Sequence, residues 1–209
     1  MTADPARPPA EPTAAAEAIP EATAAAAAAA TAAAATAEAT EVADATGTAG
    51  PPAVLLGLVA RLKQRGETLA TAESLTGGLV GAALTDVPGV SAVYRGGVVV
   101  YATDLKATLA GVPADLLADV GPVHPDTAAA LATGVRERLG ATYGLATTGV
   151  AGPDPQAGIE AGTVYVAAAG PDAVRVRKLA LSGDRAAVRQ GSVRAVLELA
   201  AELVAEELA

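Results

Sequence analysis

The apolar positions of this chain follow two periodicities, one typical of helices and one typical of strands. Leucines and valines recur at helical spacing over residues 53–65, and Gly66 follows them, so a helix is predicted that ends at this glycine. Short apolar runs at 68–72, 96–101 and 143–147 predict strands. The run at 96–101, GGVVVY, is rich in valine, which is typical of a central strand.

The remaining apolar segments complete an alternating order of helices and strands. Two β-type runs at 162–169 and 174–181 flank a Gly-Pro-Asp turn and predict a hairpin. Further helices are predicted at 79–84, at about 104–110 with Thr103 as the cap, at 125 to about 139, and from Asp184 onward. This order predicts an α/β protein, a three-layer α/β/α sandwich with a mixed sheet.

Residues 1–52 follow neither periodicity and are predicted to be a disordered, low-complexity tail. The first 50 residues contain 24 alanines, and their larger apolar side chains are only Met1, Ile19 and Val42. Such a segment buries too little apolar area to offset an ordering cost of about 1–2 kcal/mol per residue. A docked helix around the alanine run 24–30 is the alternative. The folded domain is therefore expected at 53–209.

The composition excludes several kinds of chemistry. The chain has no cysteine and a single histidine, His124, which excludes disulfides, thiolate nucleophiles, cysteine-based zinc sites and His-rich metal centres. We expect no metal, and a structural or surface role for His124. The net charge is −9, of which the first 50 residues carry −6, and four tyrosines are the only aromatic residues. An acidic chain with few aromatic residues is not expected to bind nucleic acid.

The chain also lacks the signals of membrane insertion and secretion. No stretch of 18 strongly apolar residues occurs, and the N-terminus has no basic segment followed by a leucine-rich run. We therefore expect a cytoplasmic protein without a membrane span.

The first candidate for chemistry is the sequence AESLTGG at 72–78, where a strand turns into a helix. Such a turn can expose the Ser74 hydroxyl, and Gly77 and Gly78 allow a ligand to approach the backbone. The N–H groups near Thr76 at the helix start suit an oxyanion or a phosphate. The alternative is that Ser74 or Thr76 only caps the helix and that the glycines permit tight packing.

The second candidate is the pair Tyr101 and Lys106. Tyr101 ends the predicted central strand, and Lys106 lies one turn into the next helix. A lysine that is partly desolvated at a sheet edge has a lowered pKa and can act as a base, so that a Ser–Lys pair replaces Ser–His. The alternative is a solvated surface lysine.

Two further segments could bind an anion. The loop TTGVAGPD at 147–154 contains Thr148, Gly149 and Gly152 and can donate N–H groups, unless it is an ordinary loop. Arg185 and Arg189 lie four residues apart after the helix cap Asp184 and could grip a phosphate, unless they are solvated.

These motifs together, in this order and spacing, closely resemble the CinA C-terminal domain family. The resemblance covers about residues 53–207 and includes TAESLTGG, VVVYATDLKATLAGV, TTGVAGPD, GTVYVA and SGDRAAVR. It implies an α/β/α fold and a homo-oligomer. Family members with known activity are nicotinamide-nucleotide amidases, so the resemblance implies a role in pyridine-nucleotide salvage.

The reaction implied by the resemblance is hydrolysis of the carboxamide of nicotinamide mononucleotide to nicotinate mononucleotide and ammonia. Ser74 matches the proposed nucleophile, Lys106 the general base, Tyr101 the tyrosine that works with it, and Thr148 the loop threonine. N–H groups near Thr76–Gly78 or the Thr148 hydroxyl would stabilise the oxyanion. This reaction needs no cofactor, and its partner is a small nucleotide.

Three departures from the family pattern leave other functions open. Leu75 replaces a common cysteine, His124 and Asp126 stand where serine and glutamate are usual, and the segment 158–161 replaces a common Lys-Pro. Glu160 in that segment could weaken binding of an anionic substrate. The alternatives are a related amidohydrolase with another amide substrate, and a catalytically weak homologue that binds a nucleotide or a partner.

Overall fold

The computed structural model describes residues 52–207. The predicted tail lies, apart from Pro52, outside the described residues, so its disorder and the domain boundary stay predictions. The helices are α1 Ala53–Arg65, α2 Leu79–Thr85, α3 Thr103–Thr108, α4 Ala114–Val120, α5 Pro125–Arg138 and α6 Arg185–Glu206, with a 3₁₀ turn at Val90–Ala92. The strands are β1 Leu69–Glu73, β2 Tyr94–Val99, β3 Tyr143–Gly149, β4 Thr163–Ala169 and β5 Val174–Ala180.

The five strands form one mixed sheet in the order β2-β1-β3-β4-β5, which confirms the predicted α/β class. The strands β2, β1 and β3 are parallel, whereas β4 and β5 form an antiparallel hairpin beside β3. The chain passes from β1 to one neighbour, β2, and later to the other, β3. The crevice at the carboxyl ends of β1 and β3 is therefore a place where this class of sheet binds ligands.

Helices cover both faces of the sheet, as the three-layer prediction requires. One apolar cluster joins α1, α2 and α6 to strand residues such as Leu69 and Leu145. The other joins α5 to strand residues of opposite parity, such as Ala70 and Ala146. Because successive strand side chains point to opposite faces, a continuous apolar run is buried on both sides.

Two local predictions differ from the structure, and one helix of the structure has no predicted counterpart. The valine-rich run belongs to an edge strand that begins at Tyr94, not to a central strand, and its side chains alternate in exposure. The cap of α3 is Ala102, with Thr103 as its first helical residue. The helix α4 was not predicted, because it buries no residue and thus shows no apolar face. Within residues 52–207, no helix is both long and apolar enough to span a membrane.

Candidate active site

Ser74 lies directly after β1, at the carboxyl edge of the sheet. Its N–H donates to the carbonyl of Thr147 on β3 (3.0 Å), which continues the β1–β3 ladder by one residue. The chain then turns through Gly77 (φ +60°) and Gly78 (φ +99°) into α2, and these left-handed backbone conformations favour glycine. The hydroxyl group of Ser74 is thereby held at a sharp strand-to-helix turn, as the sequence predicts.

Lys106 reaches Ser74 from α3. Its side chain is 1% exposed, and its Nζ donates to Ser74 Oγ at 3.0 Å and to the carbonyl of Val100 at 2.7 Å. Val100 follows the edge strand β2 and is tied to β1 by its N–H, which donates to the Glu73 carbonyl (2.8 Å). The interpretation of Lys106 as a solvated surface lysine is therefore wrong.

Burial changes the acidity of this lysine. Removal from water disfavours the charged ammonium and lowers the pKa of Lys106 to about 8. No carboxylate pairs with Lys106 in the part of the chain that the structure describes. A pKa of about 8 leaves about a tenth of Lys106 neutral at pH 7, and neutral lysine is the form that can accept a proton.

A cavity of about 110 Å³ opens at this pair. Ser74, Lys106, Tyr101 and Thr148 all contribute to its wall, and so do the loop residues Gly149 and Gly152. A second cavity of about 520 Å³ adjoins it and shares Ala151, Gly152 and Arg185 with it. The structure thus brings most of the predicted site residues together at one edge of the sheet.

Thr148 lies at the cavity, but its hydroxyl already has an acceptor. Its Oγ1 donates to the carbonyl of Pro122 at 2.6 Å, and its side chain is 1% exposed. The hydroxyl hydrogen is committed to this bond, so the Thr148 hydroxyl is not available as an oxyanion donor in this arrangement. Its neighbour Thr147 makes a separate bond, because its hydroxyl pairs with that of Thr76 at 2.8 Å.

The predicted anion site at the start of α2 is occupied by the protein itself. The Glu73 carboxylate accepts the N–H groups of Gly78, Val80 and Gly81 at 2.8–3.0 Å. The N–H of Gly77 donates to the carbonyl of Ser74 at 3.1 Å. The expectation that Gly77 and Gly78 offer free N–H groups to a substrate is therefore wrong.

The two arginines of α6 have different partners. Arg185 lines the cavity and is exposed; it donates to the Gly152 carbonyl (3.0 Å) and to the Tyr101 hydroxyl (3.1 Å). Arg189 instead donates to the carbonyls of Leu75 (3.0 Å) and Thr76 (2.7 Å). Arg185 is thus placed to meet a ligand, whereas Arg189 holds the backbone beside Ser74.

Tyr101 and His124 complete the comparison with the sequence. Tyr101 is 61% exposed, and among residues 52–207 its hydroxyl bonds only to Arg185, not to Ser74 or Lys106. His124 caps α5, where its Nδ1 accepts from the N–H of Asp126 at 3.3 Å, and this confirms its structural role. Asp184 caps α6 as predicted, by accepting from the N–H of Ala187 at 2.8 Å.

The site is of the serine–lysine class: a buried Ser74–Lys106 pair at the carboxyl edge of an α/β sheet. The family model for the CinA C-terminal domain matches residues 53–204, and the chain therefore belongs to this family. The chain is 55% identical over 152 residues to a CinA-like protein of Frankia casuarinae, covering 73% of this chain and 34% of that protein.

Other relatives and solved structures agree with this assignment. A putative competence-damage inducible protein of Desulforamulus reducens is 49% identical over 135 residues, which cover 65% of this chain and 33% of that protein. This chain therefore spans about a third of the length of these relatives. The crystal structure of competence damage-inducible protein A from Klebsiella pneumoniae matches with a TM-score of 0.72 and 30% identity, covering 75% of this chain and 98% of that one.

Proposed function

We propose that this chain is an amidase that hydrolyses the carboxamide of nicotinamide mononucleotide. The observation that carries the proposal is the 3.0 Å contact between Ser74 Oγ and Lys106 Nζ, with the lysine buried and unpaired by any carboxylate among residues 52–207. A serine needs a base within hydrogen-bond reach to become a nucleophile, and a desolvated lysine is such a base. The identity of the substrate is inferred from the family resemblance.

The geometry around Lys106 suits its role as a base. A neutral amine has two N–H bonds and one lone pair. One N–H can stay on the Val100 carbonyl at 2.7 Å while the lone pair accepts the proton of Ser74. The Val100 carbonyl thus orients the amine without competing for its lone pair.

The reaction then proceeds in two halves. Lys106 takes the hydroxyl proton while Ser74 Oγ bonds to the carboxamide carbon, and the carbonyl oxygen becomes an oxyanion. When the C–N bond breaks, the Lys106 ammonium returns the proton to the nitrogen. Ammonia departs, and the acyl group remains as an ester on Ser74. Neutral Lys106 then takes a proton from water as the water oxygen bonds to the ester carbon. The ester C–O bond breaks, the Lys106 ammonium returns the proton to Ser74 Oγ, and the carboxylate product is released.

The oxyanion donor that the structure supports best is the N–H of Leu75. In the part of the chain that the structure describes, this group has no hydrogen-bond partner, and Leu75 lines the cavity although its side chain is buried. The Ser74 carbonyl in the same peptide unit is held by the Gly77 N–H, which fixes the direction of the Leu75 N–H. An N–H directly after the nucleophile is the donor used in other strand-to-helix turns.

The outer part of the site suits the rest of a nucleotide. Arg185 is the cavity arginine and is our candidate for the phosphate, and Tyr101 is placed to work with Arg185 in binding. The loop with Gly149 and Gly152 lines the same cavity, and the Gly152 carbonyl accepts from Arg185. A homo-oligomer and a cytoplasmic location stay predictions.

The test is ammonia release from nicotinamide mononucleotide by the purified protein, beside Ser74→Ala and Lys106→Ala. We expect release by the wild type and its loss, by about 1,000-fold or more, in both variants. A well-folded wild type that releases no ammonia, or a Ser74→Ala variant with full activity, would contradict the proposal.

A second candidate is hydrolysis of a different amide by the same pair. The observation that favours it lies in the loop beside the cavity, where 158–161 departs from the family pattern and Glu160 is exposed. A panel of carboxamides with and without a phosphate separates the two functions. Faster turnover of an uncharged amide than of the nucleotide would favour the second candidate.

A further inference from the structure

The backbone that carries Ser74 is held by two charged side chains that the reaction described above does not use. These side chains are Glu73, which precedes Ser74, and Arg189, which comes from the distant helix α6. One binds N–H groups of the turn and the other binds its carbonyls. Their roles in this fold are therefore complementary.

Glu73 is a carboxylate that is only 2% exposed and has no cationic partner among residues 52–207. Its two oxygens accept three N–H groups at the start of α2, from Gly78, Val80 and Gly81. These bonds and the positive end of α2 replace its lost hydration. The strand end is thereby tied to the helix start across the Ser74 turn.

Arg189 binds the same turn from the other side. Its Nε and Nη2 donate to the carbonyls of Leu75 and Thr76, at 3.0 and 2.7 Å. A Cβ atom on Gly77 would lie 3.4 Å from Arg189 Nη2, an ordinary contact distance, so the guanidinium packs directly against the turn. A planar guanidinium can bind two successive carbonyls at once, which a lysine ammonium does less well.

We propose that Glu73 and Arg189 are positioning residues that together hold Ser74 Oγ against Lys106 and hold the Leu75 peptide toward the cavity. Ser74 lies between Glu73, whose carboxylate binds the start of α2, and Leu75, whose carbonyl accepts from Arg189. A displacement of about 1 Å at a reacting atom can cost about 100-fold in rate. As far as turnover of the nucleotide is concerned, this inference rests on the proposed function.

The test compares Arg189→Met, Arg189→Lys and Glu73→Gln with a matched control, Arg194→Met. Arg194 lies on the same helix, is half-buried, and makes no hydrogen bond or ion pair through its side chain within residues 52–207. Two rates are measured: ammonia release from nicotinamide mononucleotide, and acylation of Ser74 by p-nitrophenyl acetate. The second rate reports on the nucleophile without the nucleotide, and mass spectrometry locates the acyl group.

For Arg189→Met we expect kcat to fall about 30- to 100-fold with KM within about threefold, and acylation to fall by a similar factor. Arg189→Lys should recover part of the loss, and millimolar guanidinium should restore Arg189→Met severalfold. Glu73→Gln should lower both rates about tenfold or more, while Arg194→Met stays within twofold. Thermal unfolding confirms that each compared variant is folded. If Glu73→Gln does not fold, the variants Arg189→Met and Arg189→Lys of the half-buried arginine test the proposal by themselves.

The outcomes separate this inference from the proposed function. Loss of acylation in Arg189→Met, with a wild type that releases no ammonia from the nucleotide, supports positioning and contradicts the substrate. If folded Arg189→Met is acylated and turns over the nucleotide at wild-type rates, the positioning role is overturned, whereas the proposed substrate is not contradicted. A rise in KM with unchanged kcat overturns it as well, since Arg189 would then bind substrate. A wild-type Ser74 that p-nitrophenyl acetate does not acylate also overturns it, because no aligned nucleophile would exist.

Discussion

The two ends of the cavity differ in the burial of their side chains and in the hydrogen bonds that these side chains make. At the inner end Lys106 is 1% exposed and its Nζ binds both Ser74 and a backbone carbonyl. At the outer end Tyr101 is 61% exposed, and among residues 52–207 its hydroxyl binds only Arg185, which is exposed as well. The inner groups have little freedom to move, whereas the outer groups can rearrange around a ligand.

This difference separates chemistry from recognition. Charges at the inner end interact in a poorly solvated environment, where an interaction is strong and a pKa shifts. Charges at the outer end are screened by water and salt, so each contributes less and mainly to binding. Substitutions at the inner end should therefore lower kcat by large factors, and those at the outer end should change KM by small ones.

The largest effect is expected from Lys106→Met, which keeps the length of the side chain and removes the base. We expect kcat to fall about 1,000-fold, because Ser74 loses its proton acceptor. The measurement is steady-state ammonia release, with Lys63→Met on the exposed side of α1 as the matched control. Activity of Lys106→Met within tenfold of the wild type would show that another group is the base.

The pH profile tests the inner end of the cavity, where the base lies. Because neutral Lys106 is the active form and burial lowers its pKa to about 8, kcat/KM should rise about tenfold per pH unit below that value and level off above it. The measurement is kcat/KM between pH 6.5 and 9.5. A rate that stays flat across this range would contradict a lysine base with a lowered pKa.

A smaller effect is expected at the outer end from Arg185→Gln. Losing a charge-assisted bond to a phosphate should raise KM about twentyfold and leave kcat within about threefold. Arg194→Gln, about 14 Å further along the same helix by its rise per residue, is the control. A fall in kcat with unchanged KM would place Arg185 in the chemical step instead.

For the inner end, the sequence predicts which residues take part but not the contacts that they make. The strand before Ser74 and the glycines after it have clear local signals, and the structure confirms that turn. The burial of Lys106 has no local signal, because the surrounding TDLKAT is mostly polar and the bonds come from Ser74 and Val100. Burial of a single charged residue is a tertiary property, which periodicity does not record.

The roles of Glu73 and Arg189 show the same limit. Spacing of four residues placed Arg185 and Arg189 on one helix face, and both indeed point toward the same edge of the sheet. They lie about 6 Å apart along the helix axis, however, which is enough for one to reach the cavity and the other the Ser74 turn. The sequence contains no signal that Glu73, rather than a substrate, fills the start of α2.

The smallest effect is expected from Glu160→Lys, at the loop that departs from the family pattern. Glu160 is exposed and does not line either cavity, so its charge acts on an anionic substrate only through solvent. Reversing it should lower KM about two- to threefold at low salt, and less at 0.5 M salt. The control is Asp172→Lys in the β4–β5 turn, which makes the same charge change at the opposite edge of the sheet. An equal effect of both substitutions would mean that net charge alone, and not the outer end of the cavity, attracts the substrate.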